Sequence, residues 1–173
     1  MSKHATATPE LTQARLRELL HYDPETGVFT WLVRRQGIRA DRAAGCVSSP
    51  GYILIGVDGR LCRAHRLAWL YMTGEWPAAE IDHINRARGD NRWNNLRLAT
   101  GSQNQGNRSV NSDNKSGVKG VSWSQKRGMW KAQIGAAGKR RCLGYFPDCA
   151  VAAAAYAAAA AEHFGEFANA PIP

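Results

Sequence analysis

No stretch of these 173 residues is apolar for long enough to cross a bilayer. The uncharged run Cys149–Ala161 covers only thirteen positions, most of them alanine, and reads as a helix rather than a span. Nor does an apolar segment follow Met1-Ser2-Lys3-His4-Ala5-Thr6, so no secretory signal is expected. The expected location is therefore the cytoplasm, with no membrane partner. Cysteine is scarce and unpatterned: Cys46, Cys62, Cys142 and Cys149 show no C-x-x-C spacing. A zinc ribbon is thereby excluded, and so is a disulfide framework in a reducing compartment. No internal repeat is visible, and 44% hydrophobic with 21% charged residues excludes wholesale disorder.

Acidic residues are also few, 14 against 23 Lys and Arg, for a net charge of +9. The imbalance is local. From Gln103 to Pro147 nine basic residues meet Asp113 alone, so this stretch carries +8 of the total. Charge that served solubility would be spread out; charge gathered in one segment suits a surface that tracks phosphates. A polyanionic partner is the expectation.

Composition shifts and turn signals divide the chain. Residues 1–11 are expected to be a disordered tail. Thr12 has the chemistry of an N-cap, with Leu11 and Leu16 placed as a hydrophobic staple, and a helix to about His21 follows. Asp23 to Gly27 form a turn before a strand, Val28–Trp31. Residues 34 to 50 read as loop. Asp58-Gly59 between Tyr52–Val57 and Arg60–Ala64 is the strongest hairpin signal, and Arg66–Met72 reads as a short helix ended by Gly74. Ile81–Ile84, a polar loop Asn85–Asn94, Leu96–Thr100 and a helical turn from Ser102 to Arg108 give the order strand, strand, helix. The polar stretch 109–116 is a linker. Beyond it three alternating segments and an alanine-rich helix capped by Asp148 predict a three-stranded antiparallel sheet packed on one helix.

Four residues of the strand-strand-helix unit could do chemistry together. Asp82-His83 sets a carboxylate beside an imidazole, Asn95 lies twelve residues further on, and Asn104 nine beyond that. With His65-Arg66-Leu67 upstream, Ile-Asp-His-Ile-Asn at 81–85, Asp-Asn-Arg-Trp-Asn-Asn-Leu-Arg at 90–97 and Ser-Gln-Asn-Gln-Gly-Asn-Arg at 102–108, this segment resembles the HNH (ββα-metal) nucleases of the phage and intron-encoded type. The resemblance implies a hydrolase of DNA phosphodiester bonds. It implies His83 as general base, since an imidazole with pKa near ~6.5 accepts a proton at neutral pH. It also implies Asn95 orienting that imidazole, and Asp82 and Asn104 as oxygen ligands of one divalent cation, Mg²⁺ or Mn²⁺. His65 is assigned a structural role at the helix start.

Residues 117–170 resemble a second family. Ser-Gly-Val-Lys-Gly-Val-Ser-Trp (116–123), Trp-Lys-Ala-Gln-Ile (130–134), Leu-Gly-Tyr-Phe (143–146) and Gly-Glu-Phe-Ala (165–168) are similar to the APETALA-two/ethylene-response-factor DNA-binding domain. In that family the sheet enters the major groove with its helix behind. By alternation Trp130, Ala132 and Ile134 share the helix side, leaving Lys119, Ser122, Lys126, Lys131, Gln133 and Arg140 as expected DNA contacts. Trp123 and Trp130 are expected in the core. Ser122, Ser124, Gly135 and Cys142 stand where the plant pattern has base-reading side chains, so binding should lean on phosphates and discriminate sequence poorly.

The fold expected is thus α+β: an HNH unit over 12–108 with an N-terminal helix and hairpin extension, a linker 109–116, and a sheet domain over 117–170. The expected function is a metal-dependent DNA endonuclease, nicking or cutting both strands of duplex DNA, with a homodimer as one route to the double cut. A non-catalytic DNA-binding regulator that keeps the nuclease fold as scaffold is the alternative, and an RNA-binding protein is a third reading resting on charge alone.

Overall fold

The computed structural model describes residues 10–34, 37, 39–136 and 138–169. Of the expected tail, residues 1–9 lie outside these, while Leu11 is buried in the core. The architecture is α+β, with four α-helices and several small antiparallel sheets among the described residues. Two compact units divide the chain, one up to Arg97 and one from Leu98 onward.

In the first unit, Thr12 Oγ1 accepts from the Arg15 N–H and opens α1 (Gln13–Leu19). The helix is shorter than its sequence suggests, because Leu20 is extended (φ −135°) and begins β1 (Leu20–Asp23). Burying Leu20 and Tyr22 while exposing His21 requires a period of two, which a continued helix would not supply. β1 pairs with β2 (Val28–Trp31), Tyr22 opposite Phe29. Asp23 holds the intervening turn, its carboxylate accepting from Thr26 Oγ1 and the Glu25 N–H, which keeps its pKa below the usual carboxylate range. A two-residue strand, β3 (Cys46–Val47), lies inside the stretch that reads as loop. It pairs with β4 (Ile53–Val57), which turns through Asp58 (φ 46°) and Gly59 (φ 77°) into β5 (Arg60–Arg63). From Arg63 the chain passes directly into α2 (Ala64–Thr73), ended by left-handed Gly74. Leu16, Leu20, Tyr22, Phe29, Ile55, Val57, Leu67 and Leu70 fill the core between these elements. β6 (Glu80–His83) pairs with β7 (Leu96–Ala99), and the chain between them is the polar loop.

In the second unit, Thr100 and Gln103 close a capping box at the start of α3 (Gly101–Asn107). β8 (Val121–Ser124), β9 (Met129–Ala136) and β10 (Lys139–Phe146) form a meander, and α4 (Cys149–Phe164), capped by Asp148, covers one face. Val121, Ala132 and Ile134 pack there with Ala152, Tyr156 and Phe164. α3 is tied to this module in two ways. A Cβ on Gly106 would come within 2.7 Å of the Phe164 ring, so only glycine allows that approach, and Lys119 Nζ donates to the carbonyls of Gln105, Gly106 and Arg108. The compact unit therefore begins before α3, whereas composition suggested a boundary at 109–116. Part of that polar stretch is itself held down: Asn114 Nδ2 donates to Val118 O and Ser116 Oγ to Val121 O.

Candidate active site

Asp82 and His83 close β6, and both are buried, at 4% and 5% exposure. Burial of an ionisable pair needs partners, and the first unit supplies them. Asp82 Oδ2 accepts from Arg97 Nε (3.0 Å) and Nη2 (2.9 Å) in a largely buried ion pair. His83 Nε2 lies 3.5 Å from Asn91 Oδ1, an oxygen that can only accept. With the proton on Nε2, Asn91 Oδ1 accepts it and Nδ1 keeps the lone pair. Burial pushes the His83 pKa down, with the Asn91 contact and the Asp82 and Asp90 charges opposing it. The imidazole is thus neutral at neutral pH, as a proton acceptor must be.

The loop that presents Asn91 is braced from a distance. Asn95 does not bond the His83 ring as expected: its Oδ1 accepts from the Asn85 N–H, and its Nδ2 donates to Asn85 Oδ1 and Asp90 O. It acts one step back, locking the chain that leaves His83, where the Ile84 N–H also donates to Asn95 O. Asn91, not among the residues singled out by spacing, presents its side-chain oxygen to the imidazole. Its position depends on the first hairpin: Tyr22 Oη donates to Asn91 O at 2.6 Å and the Trp93 N–H to Pro24 O at 2.9 Å. A Cβ on Gly27 would lie 2.4 Å from the Asn91 and Arg92 backbone, so the turn can approach only as glycine. Trp93 stacks on Trp69 of α2, ring centres 5.1 Å apart. Asp90 accepts from Arg92 and Asn85, which holds its carboxyl well below the usual range.

His65, assigned a structural role at the helix start, lies against the His83 ring. Placed in the first turn of α2, it is 4% exposed and meets the His83 ring edge to face at 5.0 Å. Its Nδ1 is buried without a hydrogen-bond partner. Burial first, and the neighbouring His83 second, push its pKa down to about 3, so it too is neutral. Tyr52 stacks near both rings, 5.3 Å from His65 and 6.0 Å from His83. Asn104, expected as a metal ligand, sits half-buried in the first turn of α3, in the second unit.

Residues 62–105 match the family model described as HNH endonuclease. The matched segment runs from β5 through α3 and includes His65, Asp82, His83, Asn91, Asn95, Arg97 and Asn104. The chain is also 38% identical to Protein 3.8 of Escherichia phage T7 over 79 residues, 45% of this chain and 65% of that protein. It therefore spans just under two thirds of that relative's length. No solved structure matches.

Of the residues closing β6, Asp82 carries the kind of donor that a hard cation takes. Asp82 offers carboxylate oxygen, and asparagine oxygens are the other donors expected. Among the described residues no three or more His, Cys, Asp or Glu gather to hold a metal.

Of the expected DNA contacts, Ser122, Lys131, Gln133 and Arg140 share the sheet face turned away from α4. Ser122 pairs with Lys131, and Arg140 with Gly135, while Val121, Ala132 and Ile134 face the helix. Lys126 is exposed in the β8–β9 turn. Beside it Arg127, which the sequence did not single out, lies over the Tyr145 ring at 4.2 Å. Lys119 is differently placed: its ammonium lies on the α3 carbonyls, a helix C-terminal cap. Trp123 is not core as expected but 47% exposed, edge to face with half-buried Trp130. It lies at the outer end of an edge strand, where fewer neighbours are available to cover it.

Proposed function

We propose that this protein is a metal-dependent DNA endonuclease. The observation that carries the reading is the buried Asp82-His83 pair, with a neutral imidazole set by Asn91, inside the segment that matches the HNH endonuclease family. In this reading His83 Nδ1 takes the proton of the attacking water. Asn91 holds the tautomer that leaves Nδ1 basic, and Asn95 braces the strand-to-loop junction behind it. Asp82 and Asn104 would hold one Mg²⁺ or Mn²⁺, which when bound supplies charge stabilisation for the phosphodiester oxygens and the leaving group. Arg97 holds Asp82 in place through its two donors.

The sheet face carrying Ser122, Lys126, Lys131, Gln133 and Arg140 would bind duplex DNA in the manner of the APETALA-two domains, joined by Arg127. Two weak sites in one chain raise the effective concentration of each for the other, which gives a small nuclease a use for the second module. Action in the cytoplasm of a bacterial or phage-infected cell, and a homodimer where both strands are cut, belong to the same proposal.

One observation favours the regulator reading: the carboxylate expected to ligate the metal already meets a guanidinium. Supercoiled plasmid treated with wild type and His83→Ala, each with Mg²⁺, Mn²⁺ or EDTA, separates the two. Nicked or linear DNA from wild type alone, lost with EDTA, supports the endonuclease. Intact plasmid under every metal, with a gel shift retained, supports the regulator.

A further inference from the structure

The proposed DNA-binding face lies in the second unit, yet the first unit carries its own concentration of positive charge beside His83. Arg63 and Arg88 both place their guanidinium over one ring, that of Tyr52, at 4.7 and 5.2 Å from its centre. Both are exposed, and neither forms an ion pair among the described residues; Arg88 donates only to Pro50 O at 3.2 Å. Two cations brought to the same ring repel each other, and the arrangement gains most when an anion lies across them.

Three further features meet at this point. Arg63 is the N-cap residue of α2 and makes no side-chain capping bond. The ten-residue helix thus starts with first-turn N–H groups and a positive dipole end that no side chain covers. His65, two residues on, is 4% exposed with its Nδ1 unpartnered, a cost that a buried polar atom ordinarily avoids. The Tyr52 ring, clasped by the two arginines, stands 5.3 Å from His65 and 6.0 Å from His83.

We infer that Arg63, Arg88 and the open N-terminus of α2, backed by Tyr52 and His65, form a phosphate-binding site of the first unit that seats a backbone phosphate of the DNA strand beside His83. The inference rests on the DNA-cleaving reading for its ligand, but its test does not depend on cleavage. Guanidinium groups suit this task because their planar forks match phosphate oxygens, and stacking on an aromatic ring orients the fork without consuming its donors.

The test is the salt dependence of duplex binding by the full chain. Anisotropy of a fluorescein-labelled mixed-sequence duplex is followed in EDTA for wild type, Arg63→Gln, Arg88→Gln and the double variant. Arg17→Gln is the control, an exposed arginine that also stacks on a tyrosine, Tyr71 at 4.9 Å, away from this site. Each lost phosphate contact lowers the slope of log affinity against log salt by about 1. The expected result is a slope lower by about 1 in each single variant and about 2 in the double, with no change in Arg17→Gln. Both arginines project into solvent, so the variants should keep the wild-type melting temperature; should one not fold, the other decides. Slopes that stay at the wild-type value, or that fall equally in Arg17→Gln, overturn the site and leave the endonuclease reading intact. A wild type that binds with the expected slopes but cuts nothing overturns the endonuclease and leaves the phosphate site. A wild type that does not bind duplex overturns both.

Discussion

The surroundings of His83 and the outer face of the C-terminal sheet are both rich in polar side chains, yet they are built in opposite ways. Around His83 the polar groups are inside: His65, Asp82, His83, Asn91 and Asn95 are all buried. On the sheet Ser122, Lys126 and Arg140 are exposed and Lys131 and Gln133 half-buried. A buried polar group ordinarily needs partners, and around His83 Asn85, Asp90, Asn91 and Arg97 supply them, His65 Nδ1 excepted. An exposed lysine is satisfied by water and needs only a rigid strand beneath it. Chemistry that requires a set tautomer calls for the first arrangement, whereas attraction to phosphate is served by the second.

Substitutions should separate the two regions, the largest effect falling at His83. His83→Ala removes the proton acceptor and should lower plasmid cleavage by roughly 10²- to 10⁴-fold, while gel-shift affinity stays near wild type. If binding disappeared together with cleavage, the division of labour between the units would be wrong. Next comes Arg97→Ala, which strips the guanidinium from a buried carboxylate and should cost on the order of 3 kcal/mol in urea unfolding. A loss within the range of a surface change would show that Asp82 is held by other groups.

His65 makes stability depend on pH. Its folded pKa, about 3, lies below its ordinary value, so the unfolded chain binds the proton first. The contribution is fully present above about pH 6.5 and is lost progressively as pH falls toward the folded value. Thermal midpoints of wild type should therefore drop over that window, and His65→Phe should drop less; parallel curves for the two proteins would count against the assignment.

Tyr22→Phe deletes the hydroxyl that holds Asn91 O and should cost about 1 kcal/mol, with cleavage at saturating DNA falling while KM changes little. Equal loss in both would place Tyr22 in general stability rather than in support of the loop. The smallest stability effect belongs to the sheet. Lys131→Gln should change unfolding free energy by less than about 0.5 kcal/mol and still lower the salt slope of DNA binding by about 1. A large stability loss there would break the contrast between the regions.

Much of the molecule is legible residue by residue. Thr12, Asp148 and the Asp58-Gly59 pair act through their own backbone and their immediate neighbours, so α1, α4 and the β4–β5 turn follow from local chemistry. Alternation of Trp130, Ala132 and Ile134 with Lys131 and Gln133 likewise assigns the sheet faces from the pattern alone. β1 was less accessible: Leu19 and Leu20 suit a helix face as well as a strand, and the decision came from the pairing with β2.

The sequence alone determined the residue types of the site, the order strand, strand, helix, and the concentration of charge in residues 103–147, since each is written in spacing and composition. Only the tertiary structure decided which asparagine meets His83, where His65 goes, and that Lys119 serves α3. The resemblance pointed to Asn95, whereas Asn91 meets the imidazole. Tyr22 Oη and Pro24 O, some seventy positions away along the chain, pull the loop so that Asn91 faces the imidazole and Asn95 turns back to Asn85. Contacts between such distant residues have no local signature; they exist because a shared core brings the first hairpin against the loop.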